Sequence, residues 1–291
     1  MKYQICNENL KVEVNSLGAM MTSVQTPDGT EYLWQADPAV WKGQAPNLFP
    51  YVGRMPGGRY TYQGREYIMD RHGFARDMEF VCQQVRADYL VCCLEDNVKT
   101  RQAYPFGFQF EIHYELDGSR IKIYYIVKNK EGKTMYFGLG GHPGFNVPLT
   151  DEEKFEDYYF LFPPTAEMER VELTAAGYLT GATNPYIPEE GNRISLQHDL
   201  FDQDAIVLTG TQGEVVLCSA ERGPVLHVKY PGMPYVGLWH MAGVDAPYVC
   251  VEPWVSLPSG DNVVEAFEEK ADLVALEPYG VYTNLWEITI L

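Results

Sequence analysis

The sequence has no long apolar run, and it has far fewer basic than acidic residues. No stretch approaches the ~20 apolar residues of a transmembrane helix, and the N-terminal segment lacks the apolar core of a signal peptide. There are 22 Lys and Arg against 40 Asp and Glu, so the formal net charge is −18. Because nucleic acids and anionic membranes bind through basic surfaces, we expect neither as a partner.

Metal-binding and redox motifs are also missing. The six cysteines are Cys6, Cys82, Cys92, Cys93, Cys218 and Cys250. They show neither CxxC nor CxxH spacing, which argues against a zinc site and a disulfide framework. Most lie in predicted strands, where a free cysteine behaves as a small hydrophobic residue, so we expect reduced core cysteines in a cytoplasmic protein. There is no nucleotide-binding glycine motif, and no metal or other cofactor is expected.

The composition predicts a folded chain with a substantial core. Apolar residues make up 46% of the 291 residues, and 39 side chains are aromatic (21 Tyr, 13 Phe, 5 Trp). No internal repeat or low-complexity segment divides the chain. The Pro- and Gly-rich stretch 180–192 is flanked by predicted strands, which favours a long surface loop over a domain boundary. We therefore expect one domain over residues 1–291.

Short β-rich segments separated by turn residues are the main pattern. The clearest hairpin joins residues 108–116 to 120–128 through Asp117-Gly118, because Asp-Gly supplies the positive φ angles of a tight turn. Helical patterns are scarce, and residues 262–271 form either one short helix or a loop. This pattern predicts an all-β fold, a large antiparallel β-sandwich. Other strands are predicted within residues 59–69, 78–85, 89–94, 134–139, 158–162, 205–208, 214–219, 225–230, 235–239, 248–251, 272–276 and 282–290.

Polar residues are concentrated beside glycine and proline in four segments at the ends of predicted strands, where β-sandwiches build sites. Arg54 precedes a Pro-Gly-Gly turn, and an arginine capping a surface loop is the structural alternative. His72 lies between two basic residues, Arg71 and Arg76, and is placed to donate hydrogen bonds to a ligand. A structural turn histidine is the alternative there.

The other two segments contain groups suited to proton transfer. His142 lies among glycines and a proline in residues 138–146, which leaves space for a ligand near the backbone. The ordinary pKa of histidine also suits proton transfer near neutrality. Glu252 ends a predicted apolar strand, where desolvation raises the pKa of a carboxylate and makes it a better proton acceptor. The alternatives are a core histidine and a glutamate at a strand end.

Taken together, these segments resemble the aldose 1-epimerase (galactose mutarotase) family, and within it the LacX-like branch. The resemblance covers essentially the whole chain. It implies a galactose mutarotase-like supersandwich that binds a sugar and acts as a monomer or homodimer. The matching motifs are Val52-Gly53-Arg54, His72-Gly73-Phe74, Gly141-His142-Pro143-Gly144-Phe145-Asn146 and Val251-Glu252-Pro253-Trp254.

The resemblance also implies a role for each matched residue. It makes His142 the acid towards the ring oxygen and Glu252 the base at the anomeric hydroxyl. Arg54, His72 and an aspartate orient the sugar. The aspartate match falls on Asp204, with Asp199 and Asp202 as competing positions. Such acid–base opening and closing of a pyranose ring requires no metal or redox cofactor.

Three other functions compete with this interpretation. A hexose-6-phosphate mutarotase uses the same chemistry, and Arg71 and Arg76 are the candidate phosphate ligands. A non-catalytic carbohydrate-binding sandwich would lose either His142 or Glu252, and both are present. A cupin-type metal site needs closely spaced ligands, whereas the His and Glu candidates lie far apart in the sequence.

The remaining histidines and aromatic residues are less informative. His113, His198 and His227 match no motif and are interpreted as structural, whereas His240 is left undecided. Four aromatic side chains could stack on a sugar, although core packing is the alternative for each. They are Trp34, Trp41, Phe145 and Trp254.

Overall fold

The computed structural model describes all 291 residues, and almost all of its regular structure is β. The strands are β1 Lys2–Cys6, β2 Lys11–Asn15, β3 Met20–Gln25, β4 Asn47–Leu48, β5 Arg59–Tyr62, β6 Arg65–Ile68, β7 Val81–Arg86, β8 Tyr89–Glu95, β9 Phe108–Asp117, β10 Arg120–Asn129, β11 Met135–Phe137, β12 Gly140–Gly141, β13 Gly144–Asn146, β14 Tyr158–Leu161, β15 Glu169–Leu173, β16 Leu179–Pro185, β17 Arg193–Ser195, β18 Ile206–Thr209, β19 Glu214–Ser219, β20 Gly223–Lys229, β21 Tyr235–Trp239, β22 Tyr248–Trp254, β23 Val274–Leu276 and β24 Val281–Ile290.

Helical structure is limited to α1, Val98–Ala103, and four single 3₁₀ turns. None of these is long and apolar enough to span a bilayer. The 3₁₀ turns are Pro56–Gly58, Ala75–Asp77, Phe155–Asp157 and His198–Phe201.

Two large antiparallel sheets form the body of the molecule. Sheet I has nine strands in the order β17-β14-β19-β20-β24-β10-β9-β8-β7. Sheet II has eight strands in the order β16-β15-β18-β21-β22-β12-β4, with β13 also paired to β22. β1 to β3 form a three-stranded sheet, and two strand pairs, β5-β6 and β11-β23, complete the fold. The predicted all-β antiparallel sandwich is confirmed.

Side-chain alternation gives sheet II two different buried faces. Val249 and Val251 of β22, with Val236 and Leu238 of β21, join a core of 64 buried residues. That core also contains side chains of sheet I such as Phe110, so it fills the space between the sheets. Because successive residues of a strand point to opposite sides, the intervening residues of β21 and β22 point to the outer face of sheet II.

The predicted hairpins are present, with small differences in their turns. β9 and β10 form the predicted hairpin, but Asp117 lies opposite Arg120 and is the last residue of β9. The turn residues are therefore Gly118 and Ser119, and of these only Gly118 has a positive φ (59°). The β5–β6 hairpin lies within the predicted range, whereas β7 and β8 each extend one residue beyond theirs, to Arg86 and Glu95.

Of the two alternatives for residues 262–271, the structure has the loop, and its α-helix is α1 instead. The loop prediction was wrong for part of residues 180–192. Asn97 caps α1 by accepting hydrogen bonds from the backbone N–H groups of Lys99 and Thr100. A six-residue helix is too short to show a helical period in the sequence. The strand β16 was missed because almost all of it is exposed at the edge of sheet II.

The expectation of six reduced cysteines was also wrong. Cys82 and Cys92 lie opposite each other on β7 and β8 and are joined by a disulfide. Their separation of ten residues gave no motif, but the hairpin register places the two side chains side by side. The four free cysteines differ in environment: Cys6 is exposed, Cys93 is half-buried, and Cys218 and Cys250 are buried.

Candidate active site

One cavity on the outer face of sheet II contains all seven residues that the sequence proposed for catalysis, sugar binding and phosphate binding. His142 and Glu252 line it, and so do Arg54, His72 and Asp204. Arg71 and Arg76 line the same cavity. These seven residues come from segments spread over some 200 positions of the chain, so only the fold brings them together.

Strand alternation places Glu252 in this cavity. Glu252 lies inside β22, not at the predicted strand end, and its side chain is 2% exposed. It shares the outer face with Cys250 and Trp254, whereas Val251 points into the core. Gly237 lies opposite Glu252 on β21, and a Cβ there would come within 2.8 Å of the Trp254 ring. The small residue therefore leaves room for the aromatic wall beside the carboxylate.

His142 lies at a break in the ladder beside β22. β12 and β13 are two pieces of one interrupted strand that pairs with β22, and His142 and Pro143 separate them. The N–H groups of Val251 in β22 and of Val255 just after it donate to carbonyls of this interrupted strand and its flanking residues, so the nitrogen of Pro253 between them faces the same side. A proline is tolerated in this central strand because the regular ladder is interrupted opposite it.

The break brings the imidazole to the carboxylate. His142 Nε2 lies 3.3 Å from Glu252 Oε2, and His142 is 8% exposed. The ring stacks on Trp41 with centroids 5.0 Å apart, and Trp239 meets it edge-on at 5.6 Å. His142 Nδ1 is buried without a hydrogen bond partner in the protein. The imidazole is therefore held by aromatic contacts, and one of its nitrogens is free for a ligand.

The glycines around His142 serve packing, which differs from the ligand space that the sequence suggested. A Cβ at Gly141 would lie 2.6 Å from Trp286, and one at Gly140 would lie 2.7 Å from Trp254. A Cβ at Gly144 would lie 2.7 Å from the Trp41 ring. These glycines let tryptophan rings approach the backbone on both faces of the sheet.

Burial opposes charge on both members of the pair. Burial, together with the positive charges of Arg71 and Arg76, lowers the pKa of His142 from 6.5 to about 3. Burial raises the pKa of Glu252 well above 4.5, and the nearby charge of Asp204 acts in the same direction. These environments favour a neutral imidazole beside a protonated carboxyl group.

His72 is held in one orientation by Gly53. The backbone N–H of His72 donates to Gly53 O (2.8 Å), and the Gly53 N–H donates to His72 Nδ1 (3.1 Å). His72 has a φ of 67°, an uncommon conformation for a residue with a side chain. Burial lowers the pKa of His72 well below 6.5, and the charges of His142 and the arginines act in the same direction. The neutral ring therefore carries its proton on Nε2 as a hydrogen bond donor.

The structure distinguishes the three competing aspartates by position. Asp204 lines the cavity and is half-buried, and its Oδ1 accepts the N–H of Ala205 at 2.9 Å. Asp199 and Asp202 are exposed and lie outside the cavity lining. A Cβ at Gly177 would lie 2.8 Å from Asp204 Oδ2, so the loop between β15 and β16 packs directly against this carboxylate.

The sequence profile of a family described as aldose 1-epimerase matches residues 1–282. This match spans the whole cavity and nearly the whole chain. The chain belongs to the aldose 1-epimerase family.

Individual relatives agree with this membership of the aldose 1-epimerase family. Protein LacX (plasmid) from Lactococcus lactis subsp. lactis is 32% identical over 303 residues, covering 100% of both chains. A galactose mutarotase related enzyme from Lactobacillus acidophilus has a solved structure with a TM-score of 0.93 and 33% identity, covering 100% of this chain and 97% of that one. A galactose mutarotase-like protein from Lactobacillus casei ATCC 334 gives 0.94 at 26% identity, covering 100% of each chain. The predicted resemblance to the LacX-like branch is confirmed.

Two of the four proposed sugar-stacking residues line the cavity of this aldose 1-epimerase family member. Trp41 and Trp254 do so, whereas Phe145 is in the core and Trp34 stacks on Tyr248 behind the wall. Sequence reasoning missed Trp239 as a cavity residue. The signal was available, because Trp239 has the same alternation phase as Gly237, which lies opposite Glu252.

The other histidines lie outside the cavity of the family member. His240 is fully buried, donates a hydrogen bond from Nε2 to Ala246 O at 3.0 Å, and stacks on Tyr248. His113, His198 and His227 each contact a carboxylate elsewhere in the molecule. His240, whose role the sequence left undecided, is thus a buried residue behind the cavity wall and does not line the cavity.

Three buried groups in and beside the cavity wall lie close enough together to be considered as metal ligands. Ligand atoms of His142, Cys250 and Glu252 lie within 4.8 Å of one another. Wide spacing in the sequence is therefore no argument against a metal in this aldose 1-epimerase family member. Burial raises the pKa of the Cys250 thiol well above 9, and this opposes the thiolate form that binds metals.

Proposed function

We propose that this chain is an aldose 1-epimerase that interconverts the α and β anomers of an aldohexose through His142 and Glu252. The observation that supports the proposal best is the 3.3 Å contact between His142 Nε2 and Glu252 Oε2. Both groups are buried and line one cavity. An acid and a base acting at one carbon are sufficient for this reaction.

The reaction needs two proton transfers in each direction. The acid protonates the ring oxygen while the base takes the proton of the anomeric hydroxyl, and the C1–O5 bond breaks to give the open-chain aldehyde. Rotation about the C1–C2 bond presents the other face of the carbonyl group to the O5 hydroxyl. The reversed transfers then close the ring as the other anomer.

One proton shared by His142 and Glu252 accounts for both steps. If His142 is the acid, ring opening converts an imidazolium and a carboxylate into a neutral imidazole and a carboxyl group. Burial favours this neutral state, whereas the short distance between the charges favours the ion pair. The two opposing effects keep both states accessible, as a reaction that alternates between them requires.

Arg54, His72 and Asp204 are proposed to orient the sugar. His72 offers a fixed N–H donor, Arg54 offers guanidinium donors, and Asp204 accepts hydrogen bonds from hydroxyl groups. Trp41, Trp239 and Trp254 supply apolar walls for the sugar's C–H face. The Lactobacillus acidophilus relative is a galactose mutarotase related enzyme, so galactose is the first free sugar to test.

The test is anomer exchange of free galactose and glucose, followed by NMR magnetization transfer between the two anomeric protons. The purified protein is expected to accelerate exchange in proportion to its concentration. The control is the same protein with both Glu252→Gln and His142→Asn. Equal exchange rates with wild type and with this variant, on every sugar of the panel, would refute the proposed activity.

A further inference from the structure

The cavity wall carries more positive charge than a neutral sugar can use. Arg54, Arg71 and Arg76 all line it, and the acidic groups in its lining are Asp204 and Glu252. The pKa of Glu252 is raised, which limits the negative charge that it contributes. This positive surface lies in a protein of net charge −18.

These arginines have few partners within the protein. Neither Arg54 nor Arg71 has a carboxylate within ion-pair distance, and neither guanidinium donates a hydrogen bond to the protein. Arg76 Nε lies 3.4 Å from Asp77 Oδ2, but the Asp77 side chain is 73% exposed and the contact is screened by water. Burial lowers the pKa of Arg71, and the charges of Arg54 and Arg76 lower it further while Asp204 and Glu252 oppose this effect, so Arg71 lies close to like charges.

The backbone fixes the three arginines beside one another. The reciprocal bonds between His72 and Gly53 join the residues directly next to Arg71 and Arg54. Two further N–H groups, those of Phe74 and Ala75, donate to Phe49 O at 3.0 Å each and hold the segment that leads to Arg76. The arrangement is therefore built into the fold.

Mutual repulsion needs an occupant that offsets it. A neutral sugar would remove water from three guanidinium groups and return no countercharge, which is costly. A phosphate monoester carries a charge of about −1.5 to −2 at neutral pH and accepts the paired N–H donors of guanidinium groups. The anomeric hydroxyl must remain free for ring opening, so the phosphate belongs on another carbon.

We propose that Arg54, Arg71 and Arg76 form a subsite for an anionic substituent of the sugar, and that the preferred substrate is an aldohexose carrying a phosphate monoester away from C1. The inference rests on the proposed function for its catalytic part. Arg71 and Arg76 are assigned to the phosphate. Arg54 lies between the phosphate and the sugar hydroxyls.

The first test compares kcat/KM for anomer exchange of glucose, glucuronate and glucose 6-phosphate by the wild-type protein. Hydrogen bonds to charged groups predict a preference for the phosphate of roughly tenfold to hundredfold over glucose. The preference should shrink at least severalfold in Arg71→Gln and in Arg76→Gln. Arg65→Gln is the matched control, because Arg65 is exposed and lies outside the cavity, and it should keep the wild-type preference.

The outcomes separate this inference from the proposed function. Exchange of free glucose with no preference for the phosphate overturns the subsite and leaves the epimerase intact. A preference for glucuronate over glucose 6-phosphate overturns phosphate in favour of a carboxylate.

If this protein catalyses no anomer exchange, a binding measurement still tests the arginine subsite. Quenching of tryptophan fluorescence on titration with glucose 6-phosphate reports occupancy of the cavity, because three tryptophans line it. Binding that is weakened in Arg71→Gln supports the subsite even if the epimerase proposal fails. Equal binding of glucose and glucose 6-phosphate refutes the subsite.

Discussion

At the scale of single residues, His142 and Glu252 are expected to act as one unit. Ring opening needs one proton donated to the ring oxygen and one removed from the anomeric hydroxyl. Neither residue is therefore expected to support the reaction without the other. Positioned acid–base groups contribute about 10²- to 10⁴-fold each. We therefore predict that His142→Asn and Glu252→Gln each lower kcat by at least about 100-fold, and that the double variant is little worse than the worse single one.

The readout is the rate of anomer exchange, with circular dichroism to confirm the fold of each variant. His227→Asn is the matched control, since His227 contacts Glu214 outside the cavity. Additive losses in the double variant would mean that the two residues act independently. Near-normal activity of either single variant would reassign its role.

The pair also determines how activity depends on pH. The proposed active form holds one proton between two groups, so activity falls when a second proton is gained or when the last one is lost. Burial lowers the pKa of His142 to about 3, so the second protonation lies well below the ordinary histidine value of 6.5. Burial raises the pKa of Glu252, so loss of the last proton lies well above 4.5.

We therefore predict a plateau in kcat/KM that extends to the acid side of pH 6.5. Free glucose is the proper substrate for this measurement, because a phosphate group titrates near pH 6 itself. The rate of change of optical rotation, corrected for the uncatalysed reaction, gives the profile. An acid limb centred at pH 6.5, as for a free imidazole, contradicts the proposed effect of burial.

At the scale of structural elements, the piece of edge strand that follows His142 positions the aromatic wall. A methyl group at Gly144 would collide with the Trp41 ring at 2.7 Å, and Trp41 is the ring that stacks on His142. Gly144→Ala is predicted to destabilise the protein by about 1–3 kcal/mol through overpacking and to raise KM. Urea unfolding and anomer-exchange kinetics measure the two effects.

Gly132→Ala is the matched control for that prediction. The new methyl group would meet nothing closer than 3.4 Å, which is ordinary contact, and Gly132 lies outside the cavity. It should leave KM unchanged. If Gly144→Ala behaves like Gly132→Ala, Trp41 does not determine the shape of the cavity.

The β7–β8 hairpin makes a prediction of its own about thiol chemistry. Cys82 and Cys92 are bonded across this hairpin, so four of the six cysteines are free. Alkylation of the denatured, unreduced protein should therefore add four labels by mass spectrometry, and six after reduction. Six labels before reduction would show that the bond does not form in the purified protein.

Strands with clear turns could be predicted from the sequence, whereas features that depend on contacts between strands could not. Asp117-Gly118 was sufficient to identify the β9–β10 hairpin, because that signal is local. Pro253 was taken as a strand end, because proline normally interrupts a ladder. β22 continues through Pro253 because the neighbouring strand, formed by β12 and β13, is interrupted at His142. The disulfide was missed for the same reason, since it depends on cross-strand register.

The residues of the site were predictable as a set, but their arrangement was not. All seven residues predicted for the site from the sequence line one cavity. Asp204 could be separated from Asp199 and Asp202 only by the structure, because all three lie in the same short segment. Trp239 belongs to no motif. It lies in the cavity wall because its side chain points to the same face of sheet II as Glu252.

At the scale of the whole molecule, the core links both large sheets. A cluster of 64 buried residues draws side chains from sheets I and II, while the two smaller clusters contain 7 and 4 residues. We therefore propose that residues 1–291 unfold as one cooperative unit. Far-ultraviolet circular dichroism and tryptophan fluorescence should give coincident urea transitions. Two separate transitions would indicate two domains.

The interrupted ladder beside β22 holds the proposed catalytic pair apart from several of the residues proposed to recognise the sugar. The proton-transfer pair is anchored in the middle of a sheet, where backbone hydrogen bonds on both sides resist movement. Arg71, Arg76, Trp41 and Gly177 reach the same cavity from connecting segments, which tolerate insertion and exchange far better. Exchange of these segments can therefore change part of the recognition surface while the proposed catalytic pair keeps its place. Trp239 and Trp254 lie on β21 and β22 and would stay unchanged with the pair.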